Sequence, residues 1–401
     1  MSTTTEEGQQ TRRRMAWLDA LRGVAAMAVV LEHSFKFLLP EARYPVKAVL
    51  EPGWYGVTLF FLVSGYIVPA SLERRGSSVR AFWISRVLRL YPLFGVCVAG
   101  VALLIAAGWD GLHVWWGSRP LSMALGHAMM LQNLLYVPNL VNVLWTLSYE
   151  MAFYLLLTAM FSLDVHRRST ACALGFATVA VLGAGTLPVA LLSADGSGRM
   201  PAVVLAVAVL VAVGLITVLR GSGVVRQIGA IVIGVTVLGL LAVNQIYPGP
   251  GQGLLILATM FAGTALYRAT RGEISWRQAA CVALVPLAGI WLASGEFGSQ
   301  LAIAAAWITF IAGMALQHRR VPLVLAWLGL ISYSIYLLHP LLLEGVERFW
   351  PDPLAVPMAL RLVALMGVLG LLLGLSTLTW HFVEAPAQRL AKRLIAPKSA
   401  G

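Results

Sequence analysis

Charge is what this chain of 401 residues has least of: Asp, Glu, Lys and Arg together make up 11% of it. Soluble domains carry about 25%, so so little charge cannot clothe a globular surface in solvated side chains. Lysine is rarer still, at four of 29 cationic residues, and the arginines that dominate the net charge of +12 are scattered over short loops. They form no continuous basic patch, which excludes a nucleic-acid-binding surface. Cysteine is confined to Cys97, Cys172 and Cys281, each inside an apolar run. That spacing offers neither a disulfide framework nor a metal site. Missing too is the apolar–polar alternation of a transmembrane barrel strand. The first apolar run contains charges and lacks a small-residue cleavage site. It is therefore expected to stay as the first transmembrane helix and not to be removed as a signal peptide.

What is abundant is apolar sequence, 59% of the chain, in runs of about 20 residues that fit membrane-crossing helices. Thirteen such runs lie between residues 17 and 383. The run at 121–136 is the shortest and carries His127, Gln132 and Asn133. If it does not cross, the loops holding Arg74 and Arg75, Arg167 and Arg168, Arg220 and Arg226, and Arg319 and Arg320 all fall on the cytoplasmic side, as the bias of arginine toward cytoplasmic loops requires. Twelve spans then remain, those at 171–192 and 322–343 among them, with both termini cytoplasmic. The expected fold is an all-α integral membrane protein, a polytopic bundle of about 10–12 transmembrane helices. Residues 1–14 read as a disordered cytoplasmic tail, 15–390 as one membrane domain and 391–401 as a short cytoplasmic tail. Heavy use of Ala, Val, Leu, Gly and Arg suits a GC-rich bacterial genome, and so the bacterial cytoplasmic membrane.

Within the first run, WLDALRGVAAMAVVLEHSFKFLL, Arg22 and His33 lie eleven residues apart. That is close to a whole number of helical turns, so both fall on one stripe about 16 Å apart. Ionisable groups in a membrane face a bundle interior or a wet cavity, and two on one stripe suggest a polar path. Glu32 points about 100° away from His33 on the same helix and is free to pair elsewhere.

Further motifs follow in order: GVTLFFLVSGYIV at 56–68, SRVLRLYP with Arg86 and Arg89, WTLSYEMAFY at 145–154, GLISYSIYLLHP at 329–340, and FVEAPAQR. Together with LDALRGVAAMAVVLEH, this set closely resembles the membrane-bound acyltransferase 3 family, which O-acylates sugars, polysaccharides, macrolide glycosides and related acceptors. The resemblance implies an O-acyltransferase that takes an acyl group, acetyl or another short chain, from cytoplasmic acyl-CoA. It also implies that the Arg86–Arg89 pair serves the CoA, with Arg22 guiding its pantetheine arm, since guanidinium forks match phosphate oxygens. His33 is expected as general base, or as an acyl-histidine nucleophile, and Glu150 as the group that orients it. His339 and Trp145 are the expected acceptor contacts.

Each residue also has a plainer reading. Arg86 and Arg89 are placed to anchor to lipid phosphates, His33 and His339 to hydrogen-bond within the core, and Glu150 to sit at the interface. Trp54, Trp115, Trp116, Trp145 and Trp350 suit an interfacial belt. Ser64 lacks the GxSxG elbow and reads as a packing residue with at most a hydrogen bond, and Glu384 as structural. The competing function is a transporter or flippase of a lipid-linked sugar, in which intramembrane Arg and His are equally at home. No internal repeat of the transporter kind is visible.

Overall fold

The computed structural model describes residues 3–73, 78–108, 119–193 and 198–396. Arg74, Arg75, Trp115, Trp116 and the end of the C-terminal tail lie outside the described residues. All regular structure among the described residues is helical, as expected for a chain that must satisfy its backbone polar groups inside lipid.

The helices are α1 (Thr3–Leu38), α2 (Pro40–Val49), α3 (Pro52–Leu72), α4 (Val79–Ala106), α5 (Pro120–Ala128), α6 (Trp145–Ser162), α7 (Ser169–Leu182), α8 (Met200–Arg220) and α9 (Gly223–Val243). There follow α10 (Pro250–Thr270), α11 (Trp276–Ser294), α12 (Phe297–Ala315), α13 (Leu323–Leu330), α14 (Ser332–Phe349), α15 (Met358–Thr379) and α16 (Ala385–Ile395), the last two joined through a π-helical turn at Trp380–Glu384. The helical backbone begins at Thr3, within the segment expected to be a tail. Nine described helical segments are long and apolar enough to cross a membrane, or ten with α13 and α14 as one bent span. The protein is an all-α, multi-pass membrane protein.

The remaining two of the twelve expected spans are special. α1 carries Asp19, Arg22 and Glu32 inside its apolar stretch. The run at 171–192 departs from expectation, because its helix ends at Leu182 after 14 residues, about 21 Å. Gly183, Gly185 and Pro188 follow and stop it, glycine by its backbone freedom and proline by its missing N–H. The excluded run at 121–136 is the nine-residue helix α5 followed by a single 3-10 turn, too short to cross.

The chain forms two compact units. The first is Met1–Val63, Pro92–Cys97 and Ser294–Arg389, and the second is Ser64–Tyr91, Val98–Ala293 and Leu390–Gly401. In the first, α1 packs on α13 and α14, and α14 on α15. Gly23 lets α1 come close to α13: a Cβ there would sit 2.7 Å from the Gly329 nitrogen. Small residues allow such contact where lipid supplies no hydrophobic drive between helices. The 322–343 run is bent by 67° between α13 and α14, at Gly329 and Ser332, the small-residue setting in which helices kink. Ala26, Val30, Ile331, Ile335 and Leu372 form a buried core that fixes α14 against the C-terminal half of α1.

In the second unit, α7 packs on α10, α8 on α9, and α6 on both α9 and α10. Gly65 touches the α10 backbone, where a Cβ would lie 2.0 Å from the Met260 oxygen. Gly65→Ala is therefore expected to destabilise the protein by about 1–3 kcal/mol through overpacking. A lowered midpoint of thermal unfolding in nanodiscs would show this, and an unchanged midpoint would refute the contact. Arg268 is 2% exposed and fully engaged, by Glu73 at 2.7 Å, Glu273 at 2.6 Å, Ser169 Oγ at 3.1 Å and the His166 carbonyl at 2.9 Å. It is a buried charge held by its own protein.

Candidate active site

The first unit brings two of the expected site residues together. His33 is half-buried on α1 and His339 is 1% exposed on α14. His339 Nε2 lies 3.3 Å from His33 Nδ1, with ring centroids 5.0 Å apart. Each Nδ1 also faces a carbonyl one helical turn back, Val29 O at 2.9 Å for His33 and Ile335 O at 3.1 Å for His339. A carbonyl only accepts, so both rings carry their proton on Nδ1. His339 Nε2 then has a lone pair that shares the His33 N–H. His33 Nε2 is left with a lone pair of its own, the atom a general base requires. The sequence left His339 between an acceptor contact and a core hydrogen bond; the structure places it beside His33.

Glu32, next in sequence to His33, turns to α2. Its carboxylate lies 3.2 Å from Lys47 Nζ and 3.9 Å from Arg43 Nε, so its partner is a short amphipathic helix and not another span. Lys47 also bonds Glu51 at 2.7 Å, and Ser299 Oγ donates to Glu51 at 2.5 Å. At the other end of α2, Glu41 pairs with Arg361 at 2.7 Å, and that hydrogen bond holds the Glu41 carboxyl below its ordinary value. Glu384 is buried and accepts from Ser334 Oγ at 2.5 Å, while Thr379 donates to Ser334 at 2.8 Å. These bonds tie the π-helical turn to α14. Arg22 is half-buried on α1.

The second unit holds the other cluster. The half-buried Glu150 accepts hydrogen bonds from Tyr154 OH and from Ser64 Oγ, the latter at 3.2 Å. Across the Tyr154 ring, 5.2 Å from its centroid, stands the Arg86 guanidinium, which also lies 5.4 Å from the Phe82 ring and donates to Ser71 Oγ at 3.2 Å. Arg86 is 7% exposed, so it is no lipid anchor at a helix end. Its Nε is buried with no hydrogen-bond partner, in contrast to the saturated Arg268. A buried guanidinium with a donor to spare, and no carboxylate partner among the described residues, fits an anionic ligand. The resemblance gave Arg86 and Glu150 different jobs, one at the CoA and one at His33. The structure places them on either side of one tyrosine, because the long arginine side chain lies along α4 and stacks on two rings.

Tyr154 was missed in the sequence, although its place four residues after Glu150 puts the two on one helix face. Arg89 is half-buried on the same helix as Arg86. Trp145 is buried and packs edge-on against Tyr149 and Tyr247, with centroids 6.0 and 5.0 Å away, so it supports Tyr247 from behind and is no belt residue. His33 lies in one unit and Glu150 in the other. Within its own unit, the His33 Nδ1 that an orienting carboxylate would hold is already engaged.

Comparison with known proteins adds the reaction class. The acyltransferase domain family Acyl_transf_3 matches residues 15–381, nearly the whole chain. The chain belongs to the acyltransferase 3 family. Acyltransferase MdmB of Streptomyces mycarofaciens is 27% identical to it over 407 residues, covering 95% of this chain and 93% of that one. Nodulation protein 10 of Rhizobium leguminosarum bv. viciae is 28% identical over 187 residues, 41% of this chain and 48% of the relative. A putative O-acetyltransferase of Staphylococcus aureus (strain MSSA476) is 31% identical over 100 residues, 23% of this chain and 15% of its own length. No solved structure matches. This acyltransferase 3 protein is a multi-pass membrane O-acyltransferase, and the histidine pair and the Arg86–Tyr154–Glu150 cluster are its candidate chemical groups.

Proposed function

We propose that the protein moves an acetyl or other short acyl group from cytoplasmic acyl-CoA to a hydroxyl of a carbohydrate, glycolipid or glycosylated natural product. Residues 15–390 act as one membrane domain in a bacterial cytoplasmic membrane, with both termini in the cytoplasm. His33 Nε2 takes the proton of the acceptor hydroxyl as its oxygen attacks the thioester carbonyl carbon. The tetrahedral intermediate collapses, the carbon–sulfur bond breaks, and His33 returns the proton to the departing CoA thiolate. Arg86 and Arg89 hold the CoA phosphates, and Arg22 guides the pantetheine arm. The 16 Å or so between Arg22 and His33 on α1 is of the order of a pantetheine arm. Glu150, hydrogen-bonded by Tyr154 and Ser64, is the second proposed catalytic group.

The observation that supports this reading is the histidine pair, whose contacts suit a His33 protonated on Nδ1 with a lone pair on Nε2. His339 is then a positioning residue. His339→Ala should lower kcat roughly 3- to 10-fold, the value of about one hydrogen bond, with KM for acetyl-CoA little changed. His339→Gln, which can put an oxygen near the former Nε2, should recover part of the loss. Transfer of radiolabelled acetyl groups from acetyl-CoA to a glycoside panel by the protein in nanodiscs tests both statements. Equal loss in the two variants, or a change in KM alone, would remove His339 from this role. No labelled ester with any acceptor would overturn the proposed function.

A further inference from the structure

The second unit contains a cavity of about 490 Å3 apart from the groups used above. Asn133, Tyr136, Asn139 and Tyr247 line it, with Arg119 at the start of α5. It is built from the segment that does not cross the membrane and from the loop before α10. Its volume falls in the range of about 300–1,000 Å3 usual for small-molecule sites.

The walls are held in place. Asn133 Nδ2 and Tyr149 OH both donate to the Tyr247 carbonyl, at 2.6 and 2.9 Å. Asn244 Nδ2 donates to the Leu134 carbonyl at 2.8 Å. Tyr136 sits at φ 59°, a left-handed conformation that costs a bulky residue about 1–3 kcal/mol and persists only where its surroundings impose it.

The polar groups are mixed with aromatic surface. Gln132 Nε2 donates to Asn139 Oδ1 at 3.2 Å, which orients that amide and leaves Nδ2 as a donor for an occupant. Tyr136 adds a half-buried phenol. The Tyr247 ring stands perpendicular to that of Trp145, and the residue is 51% exposed. No carboxylate is among the lining residues, and Met123, Val137, Pro138, Met200 and Ile246 supply the apolar part of the lining. Amide and phenol groups suit hydroxyls, and a supported aromatic ring suits the apolar face of a pyranose. A site for a bare acyl chain would lack the amides.

We infer that this cavity binds the glycosyl part of the acceptor. The inference rests on the acyl-transfer reading above and gives its acceptor a binding site. The test uses full-length protein in nanodiscs, saturation-transfer NMR with methyl glycosides of glucose, galactose, mannose and rhamnose, and calorimetry with acetyl-CoA. At least one glycoside is expected to bind. Asn139→Ala and Tyr247→Ala should each weaken it roughly fivefold or more, about one hydrogen bond or contact, while acetyl-CoA affinity stays unchanged and shows the variants to be folded. Absence of glycoside binding, indifference of that binding to both variants, or its displacement by methyl octanoate would overturn the inference. If glycoside binding depends on the cavity but acetyl-CoA does not bind the unaltered protein, the sugar site stands and the acyl-transfer reading falls.

Discussion

His33→Ala is expected to lower acyl transfer by about 10²- to 10⁴-fold, the usual contribution of a positioned general base, while acetyl-CoA still binds. The expectation follows from the proton bookkeeping of the histidine pair. Val29 O and Ile335 O commit each ring to a proton on Nδ1, and His339 Nε2 accepts a share of the His33 N–H. Only His33 Nε2 is then available to receive the acceptor's proton. Alanine removes that atom. The measurement is kcat at saturating acetyl-CoA, with calorimetry to show that the donor site survives. Undiminished transfer by correctly inserted protein would eliminate His33 as the base. A hydroxylamine-labile acetyl label on the wild type, absent from the variant, would instead make the residue a nucleophile.

Arg86→Ala is expected to weaken acetyl-CoA binding by about 30-fold or more, since losing one member of a buried, hydrogen-bonded charge pair costs about 2–5 kcal/mol. Arg86 is buried, stacks on Phe82 and Tyr154, and keeps an unpartnered Nε. A phosphate would satisfy that donor. Arg86→Lys should restore little, because an ammonium offers neither the planar fork nor the ring stacking. Calorimetry and the KM for acetyl-CoA read the effect. An unchanged donor affinity in a protein of wild-type thermal stability would make Arg86 a packing residue, held only by Ser71 and the two rings.

Much of the architecture was readable because lipid leaves a chain few choices. Apolar runs of membrane length become helices, and the run at 121–136, short and polar, becomes a nine-residue helix. The run at 171–192 misled because total hydropathy hid its Gly183, Gly185 and Pro188, which end the helix early. The bend between α13 and α14 depends on a close backbone approach at Gly329, where a Cβ would lie 2.0 Å from the Asp19 oxygen. A linear pattern does not show which glycine another helix will touch.

The candidate site divides in the same way. Arg22 and His33 share a stripe by helical arithmetic, and Glu150 and Tyr154 by a spacing of four, so both relations belong to the sequence. That His339 stands 306 positions along the chain beside His33 does not, nor does the stacking of Arg86 on Tyr154 or the support of Tyr247 by Trp145. Local spacing fixes which side chains leave a helix on the same face. Which face meets which, and so which nitrogen keeps its lone pair and which guanidinium its spare donor, was decided only when the helices packed.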